Sequence, residues 1–453
     1  MSQQKGYILK GRVVDGSLNA PLEQGAVVTE GELIAWVGPA ASLPVQYQGP
    51  AYQVIALEGR TIMPGLIDGH THISFGESRS EEENALYTPV EFRTAKALYY
   101  AKKVLQAGVT SAFDAATTYA VAQAVRDAVD TDMFPGPRFT VSGKQLTNHQ
   151  GLEDSFPSNM EFPLGQSAVL VKTHSDLVEA IRLQAKEEVD AIKVSGSNDN
   201  LITPDAQDCS AFTLEELKII ADETHRLGKL CSVHARSTDS ARDAAIAGFD
   251  NLFHASYIDD RGIEACLTNN VVITPTITLL YNLVEANQSL AGASGADAFK
   301  REIEAAQVNL RRAFDAGVPL LAGSESGWSP VPYGQWHARE MEIFVKLLGL
   351  TPLQAIHSNT HAVTRLLSPR YRNKVGLLEA GRYADILVVP GNPLDDICIL
   401  QKPSQFDYIF KGGKPIDRTP PAPRKRKWYE RTKIFLGGLY QFDEETGKGN
   451  FVH

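Results

Sequence analysis

The chain has 453 residues and a formal net charge of −10, with 43% hydrophobic and 22% charged residues. That length exceeds one ordinary domain and suits a large unit joined to a smaller one. The balance excludes bulk disorder, and the acidic surface argues against nucleic acid or an acidic membrane as a partner.

The amino terminus, MSQQKGYILKG, lacks the apolar core of a signal peptide, and no run of 18 apolar residues follows. Neither a leader nor a membrane span is expected. Within residues 1–59, YILKGRVVDG, GAVVTEGELIAWVG and YQVIALEG alternate apolar and polar residues between glycine turns and read as antiparallel strands.

From residue 60 the pattern changes to short Val/Ile/Thr-rich runs, each followed by a longer amphipathic stretch. RTIMPGLIDGHTHIS precedes TPVEFRTAKALYYAKKVLQAG. VTSAFDAATT precedes AVAQAVRDAVD, and PRFTVSG precedes, after a loop, SDLVEAIRLQAKEEV. DAIKVSGS leads to TLEELKIIADETHRLG, KLCSVHAR to STDSARDAAIAG, and DNLFHAS to DDRGIEACLTNN. VVITPTI opens a long helical region ending NLRRAFDAG, and VPLLAGSES opens the last unit, GQWHAREMEIFVKLLG. Eight strand–helix units over residues 60–373 predict the α/β class and a (β/α)8 TIM barrel. A doubly wound open sheet is the competing layout, but no GxGxxG follows a first strand.

RYADILVVPG and FDYIFKGGKPI, within residues 374–416, read again as strands. Paired with the first strands they predict a small β-sandwich domain built from both termini. Residues 417–453 begin with RTPPAPRKRKWYERTK, a basic, Pro-rich arm expected to wrap the body or a partner subunit rather than to bind nucleic acid. Four widely spaced cysteines with no CxxC argue for a reducing compartment, so the expected location is the cytoplasm.

DGHTH puts His70 and His72 two apart, on one face of a strand, where two imidazoles can share a metal. His234 and His254 end the fifth and sixth predicted strands. Singly each reads as a packed core histidine; together at one barrel mouth they read as ligands. Lys193 lies inside the apolar fourth strand. Buried there it either pairs with a carboxylate or loses its proton, and a neutral amine can capture carbon dioxide as a carbamate. His337, His361, His174 and His225 fall on predicted helices and are taken as structural.

MPGLIDGHTH, AIKVSGS, VHARSTDSARDAAIAGFDNLFHAS, ITPTITL and LLAGSESG, in that order, resemble the amidohydrolase superfamily over about residues 6–416. The resemblance points to its imidazolonepropionase-like branch, with metal-dependent prolidases, other dipeptidases and ochratoxin-type amidases. It implies one or two divalent ions, Zn2+ by default with Mn, Fe or Co as alternatives. Their implied ligands are His70, His72, His234, His254, a bridging carbamylated Lys193, and a general base at Glu325. In the loop GKQLTNHQGLED it implies a histidine, His149, that polarises the substrate carbonyl or grips its carboxylate. Arg236 and Tyr257 also stand near the predicted mouth, either to contact substrate, for which Arg236 has the fork geometry toward a carboxylate, or to support the site from behind, and His149 reads equally as a solvent-exposed loop histidine. The Pro- and Trp-bearing GWSPVPYGQW is expected either to wall an apolar pocket or to pack the eighth unit.

Glu325 departs from the family pattern, which has aspartate there. The extra methylene adds roughly 1.5 Å of reach. The expected activity is hydrolysis of an amide or other C–N bond in a small molecule. The longer acid leaves open a decarboxylase or lyase using the same cage, and a non-catalytic oligomeric scaffold. A homo-oligomer is expected in each case.

Overall fold

A computed structural model describes residues 4–149, 151–199, 209–290, 296–427, 430 and 438–452. Strands from the two ends of the chain share one mixed sheet. They are β1 (Gly6–Val13), β2 (Leu22–Glu30), β3 (Leu33–Pro39), β4 (Tyr52–Pro64), β14 (Ile386–Pro390), β15 (Tyr408–Lys411) and β16 (Lys414–Pro415), in the order β16-β15-β14-β4-β1-β2-β3. Neighbouring side chains on a strand face opposite ways. Leu9 and Val27 thus enter one buried cluster, while Ile8 and Val28 enter another. The apolar–apolar pairs in YILKG and GAVVTE follow from both faces being covered.

The long β4 leaves this sheet and delivers Met63, then Leu66 beyond it, to the main core. There the strands are all parallel and the helices lie between them in sequence. The first stretch runs β5 (Leu66–Thr71), α1 (Val90–Gln106), β6 (Val109–Asp114), α2 (Val121–Asp130), β7 (Arg138–Val141), β8 (Gln145–Thr147), β9 (Ala168–Leu170) and α3 (His174–Lys186). It continues through β10 (Ala191–Ser195), α4 (Leu214–Arg226), β11 (Leu230–Ala235), α5 (Thr238–Ala247), β12 (Asn251–His254), α6 (Asp260–Asn269) and β13 (Val272–Thr274). Then come α7 (Ile277–Leu290), α8 (Ala296–Ala316), α9 (Arg339–Lys346) and α10 (Pro352–Ser358). Local sequence sets the helix starts. Thr173 with Asp176, Thr213 with Glu216, and Thr351 with Gln354 each close a reciprocal capping box.

The parallel strands form two sheets, β5-β6-β7 and β13-β12-β11-β10-β8-β9. Backbone hydrogen bonds span both gaps: Asp190 N to Val141 O at 2.8 Å on one side, and Leu321 N to Ile273 O and His72 N to Ser326 O, both 2.8 Å, on the other. The second gap is filled by residues 318–326, expected as the eighth strand. They pair through isolated bridges, at Leu320 with Ile273 and at Ser326 with Thr71 and Trp328. Glu325 has φ 63° and Gly327 φ 144°, so the segment turns out of extended geometry where a regular strand would continue. The seventh helical region is likewise two helices, α7 and α8.

A last hairpin, β17 (Leu439–Asp443) and β18 (Lys448–Val452), lies within the expected C-terminal arm. Tyr440 stacks on Trp336 with ring centroids 5.6 Å apart, and joins a cluster with Leu279 and Leu283 of α7. Part of the basic run, residues 428–429 and 431–433, lies outside the described residues. No described helix is long and apolar enough to cross a membrane.

Candidate metal centre

β5 ends at Thr71, and its last turn of pleat aims His70 and His72 the same way. Both are buried, and their ring centroids are 5.0 Å apart. On the neighbouring strands His234 and His254 stand side by side, because Ala235 pairs with His254 in the β11–β12 register. Their centroids are 4.6 Å apart, and His254 is 5.6 Å from His70. Glu325 enters from the opposite edge. Its Oε1 lies 3.3 Å from Nε2 of both His70 and His72, and its Oε2 3.9 Å from Nε2 of His254.

The backbone is bent to make this convergence. His254 has φ 71° and Glu325 φ 63°, left-handed values that cost a non-glycine residue on the order of 1 kcal/mol each. Glu325 is held there by its N–H donating to His70 O at 2.8 Å. Asp68 bolts the two segments together: it accepts from the amides of His70 (3.1 Å) and Ser324 (2.9 Å), and pairs with His337 Nδ1 at 2.7 Å. His337, read as structural, is therefore a buried brace for the centre.

The rings present lone pairs inward. His72 Nδ1 faces the Ala116 carbonyl at 3.3 Å, and His254 Nδ1 faces Thr276 Oγ1 at 2.7 Å and the Pro275 carbonyl at 3.3 Å. A carbonyl only accepts, so Nδ1 carries the proton and Nε2 is the free base. Burial pushes His70 and His254 well below the ordinary histidine value, and burial with Arg236 takes His234 down to about 3. Burial raises the Glu325 carboxyl, but the surrounding His70, His254 and His72 outweigh it and hold it well below the usual range. His70, His234 and His254 are thus neutral imidazoles beside the Glu325 carboxylate, the protonation a divalent cation requires.

Both ring nitrogens of His70, Nε2 of His254 and Oε2 of Glu325 are buried without a hydrogen-bond partner. Each such atom costs about 1–3 kcal/mol. His70, His72 and Glu325 offer ligand atoms all within 4.8 Å of one another. The unsatisfied Nε2 atoms of His70 and His254 and Oε2 of Glu325 fit a cation.

Lys193 is 2% exposed on β10, with Nζ 3.9 Å from the centre of the Phe253 ring. Burial brings its amine down to about 7, against the opposing pull of Glu325 and Glu153. It lines one cavity with His72, His234 and Glu325.

The structure places the expected substrate contacts elsewhere. His149 does not line the cavity; its side chain is 67% exposed and pairs with Asp154 at 3.2 Å. An outward-facing loop tip gives it solvent and a local acid in place of substrate. Arg236 is buried, with Nε on Asp199 at 2.8 Å and Nη1 on Glu302. Its fork is consumed by two carboxylates, so it braces Asp199 and is not free to grip a ligand. Tyr257 is half-buried and outside the cavity lining. Trp328 and Pro330 do wall the cavity, with Phe75, Leu279 and Leu283.

Sequence reasoning missed Glu81, Glu153 and Gln145, all on the cavity wall. Within the run RSEEEN, Glu83 and Asn84 are fully buried. The usable signal was position alone: Glu81 follows β5 and Glu153 follows β8, and loops after parallel strands carry the site, while Gln145 lies on β8 itself.

The amidohydrolase family model matches residues 61–416. The chain belongs to the amidohydrolase family. This family is generally dependent on divalent metals, which agrees with the His70–His72–Glu325 cluster. Ochratoxinase of Aspergillus niger is 27% identical over 424 residues, which cover 90% of this chain and 85% of that protein. Its crystal structure superposes with a TM-score of 0.80 at 25% identity, covering 91% of this chain and 95% of that one. Imidazolonepropionase of Paracoccus denitrificans is 29% identical over 389 residues, covering 81% of this amidohydrolase and 88% of the relative. A Xaa-Pro dipeptidase with methionine in its active site shares the fold, with a TM-score of 0.79 at 22% identity over 91% and 99% of the two chains. With these relatives, the protein is a metal-dependent hydrolase of C–N bonds.

Proposed function

We propose that this amidohydrolase cleaves an amide bond in a small molecule with an apolar body. The observation that carries the reading is the convergence of His70, His72, His254 and Glu325, with unsatisfied inward atoms, at the base of a largely apolar cavity. His70, His72, His234 and His254 would hold one or two divalent ions, Zn2+ first among them, with Lys193 bridging as its carbamate. The depressed Lys193 amine supports that role, because only the neutral amine adds carbon dioxide. Ions in that cage supply Lewis acidity toward water and toward the substrate carbonyl.

The remaining work falls to Glu325. Anionic, with Oε1 3.3 Å from His72 Nε2, it takes a proton from the attacking water and returns it to the leaving nitrogen. The C–N bond breaks, the carbonyl carbon gains an oxygen, and the products are an acid and an amine. The apolar wall of Phe75, Trp328 and Leu283 would hold the substrate body and exclude bulk water. Turnover of an amide panel in oxygen-18 water tests this: one labelled oxygen in the acid product is expected, and product without label contradicts it.

For the fold, we propose that β5, β6, β7–β8, β10 to β13 and residues 318–326 close into a (β/α)8 barrel spanning residues 60–373. The hydrogen bonds across both gaps support closure. Residues 1–59 and 374–416 would form the small β-sandwich, supported by the buried clusters on both faces of their sheet. Residues 417–453 would form the C-terminal arm. Four cysteines without a disulfide among the described residues support a reducing compartment, the cytoplasm.

A further inference from the structure

The cavity has an acidic wall that the hydrolytic reading does not use. Glu153 is 5% exposed; Ser167 hydrogen-bonds its carboxyl, while its Oε2 is buried without a hydrogen-bond partner. Glu81 Oε2 is buried and unpartnered in the same way. Both carboxyls line the cavity. Burial pushes Glu81 well above the ordinary carboxyl value, and the charge of Glu153 adds to it. A buried acid and a half-buried one within each other's field do not both ionise readily without a counter-cation.

The cavity supplies none to spare. Its described basic lining residues are His72, His234 and Lys193, which belong to the metal cage. Arginine is absent from the described lining, and nearby Arg236 is tied to Asp199 and Glu302. The adjoining aromatic faces favour positive charge as well. Phe75 and Trp328 meet edge-on with centroids 4.8 Å apart, and ring faces attract cations.

We propose that the substrate carries an organic cation, a protonated amine or guanidinium, held between Glu81 and Glu153 beside the Phe75–Trp328 wall. This rests on the amide-hydrolase reading for the chemistry, but not for the binding. A substrate cation satisfies both orphaned carboxylate oxygens at once, and a substrate carboxylate at that end meets like charge.

Calorimetric titration of the metal-replete, full-length protein with n-hexylammonium and with 1-hexanol separates charge from apolar fit. The ammonium should bind about tenfold tighter or better. In the Glu81→Gln/Glu153→Gln double variant that ratio should fall to within about twofold, with Glu153→Gln alone intermediate. Gln preserves shape and removes the charge repulsion, and thermal unfolding confirms that each variant is folded. A ratio near one in the unmodified protein overturns the proposal, and so does a ratio that survives the double substitution. Matched anilides of lysine and norleucine then report on chemistry. If neither is cleaved while the ammonium preference stands, the hydrolase reading fails and the cation site does not. A lysine-to-norleucine kcat/KM ratio above about tenfold supports both.

Discussion

Glu325 answers why the longer acid stands where the family has aspartate. Its backbone has turned left-handed at φ 63°, and the carboxylate still reaches His70 and His72 at 3.3 Å. Glu325→Ala should lower kcat by about 100-fold or more while metal content holds. Glu325→Asp should also impair turnover, because its arm is roughly 1.5 Å short; equal or better activity would show that reach is irrelevant. His70 and His72 were legible in sequence because residues two apart on a strand point the same way, whereas His234, His254 and Lys193 were legible only from their places on predicted strands and from the family resemblance. His149 and Arg236 were not. Arg236 has partners, Asp199 and Glu302, that are 37 and 66 residues away, and only the folded chain reveals that its fork is taken. The acids Glu81 and Glu153 were hidden for the reverse reason: a charged run carries no periodicity that distinguishes burial from solvent.

At the scale of elements, the turn after β13 depends on Glu340 of α9. Its carboxylate accepts from the amides of Ile277 and Thr278, both at 2.9 Å, and from the Thr278 hydroxyl at 2.7 Å, capping α7. Burial still outweighs those bonds and pushes Glu340 up to about 7. A carboxyl raised on folding binds its proton more tightly folded than unfolded. Its contribution to stability is complete below about 4.5 and is lost as pH rises through about 7. The stability of the unmodified protein minus that of Glu340→Gln should therefore shrink from pH 5 to pH 8, by on the order of 2 kcal/mol. Denaturant unfolding at both pH values checks it, and a constant difference contradicts it. The β17–β18 hairpin is the second such element. Tyr440 fastens it to Trp336 and α7, behind the cavity wall of Leu279 and Leu283. Tyr440→Ala should cost about 3 kcal/mol and raise KM. An unchanged midpoint and KM would detach the hairpin from the site. The sequence suggested a wrapping arm but not this hairpin, because its apolar partners lie on α7 and on the segment after residue 326.

For the molecule as a whole, the alternation of strand and helix was plain in the residues, since the parallel strands are short buried runs and the helices carry their own caps. The eighth segment was harder. Its residues are apolar enough for a strand, but its shape serves the site: it pairs at two points and then turns to present Glu325. The sheet built from both chain ends was also readable, as alternating runs that needed partners. That those runs bury both faces is a property of the assembled clusters.

All of the chemistry depends on one buried cation site. Anomalous X-ray diffraction at the zinc edge, from crystals of protein purified without chelator, tests it most directly. A peak is expected at about 2.0–2.3 Å from the inward nitrogens of His70 and His72 and the Glu325 carboxylate, with continuous density on Lys193 Nζ. No anomalous peak at any divalent-metal edge, or one bound away from these side chains, would contradict the account.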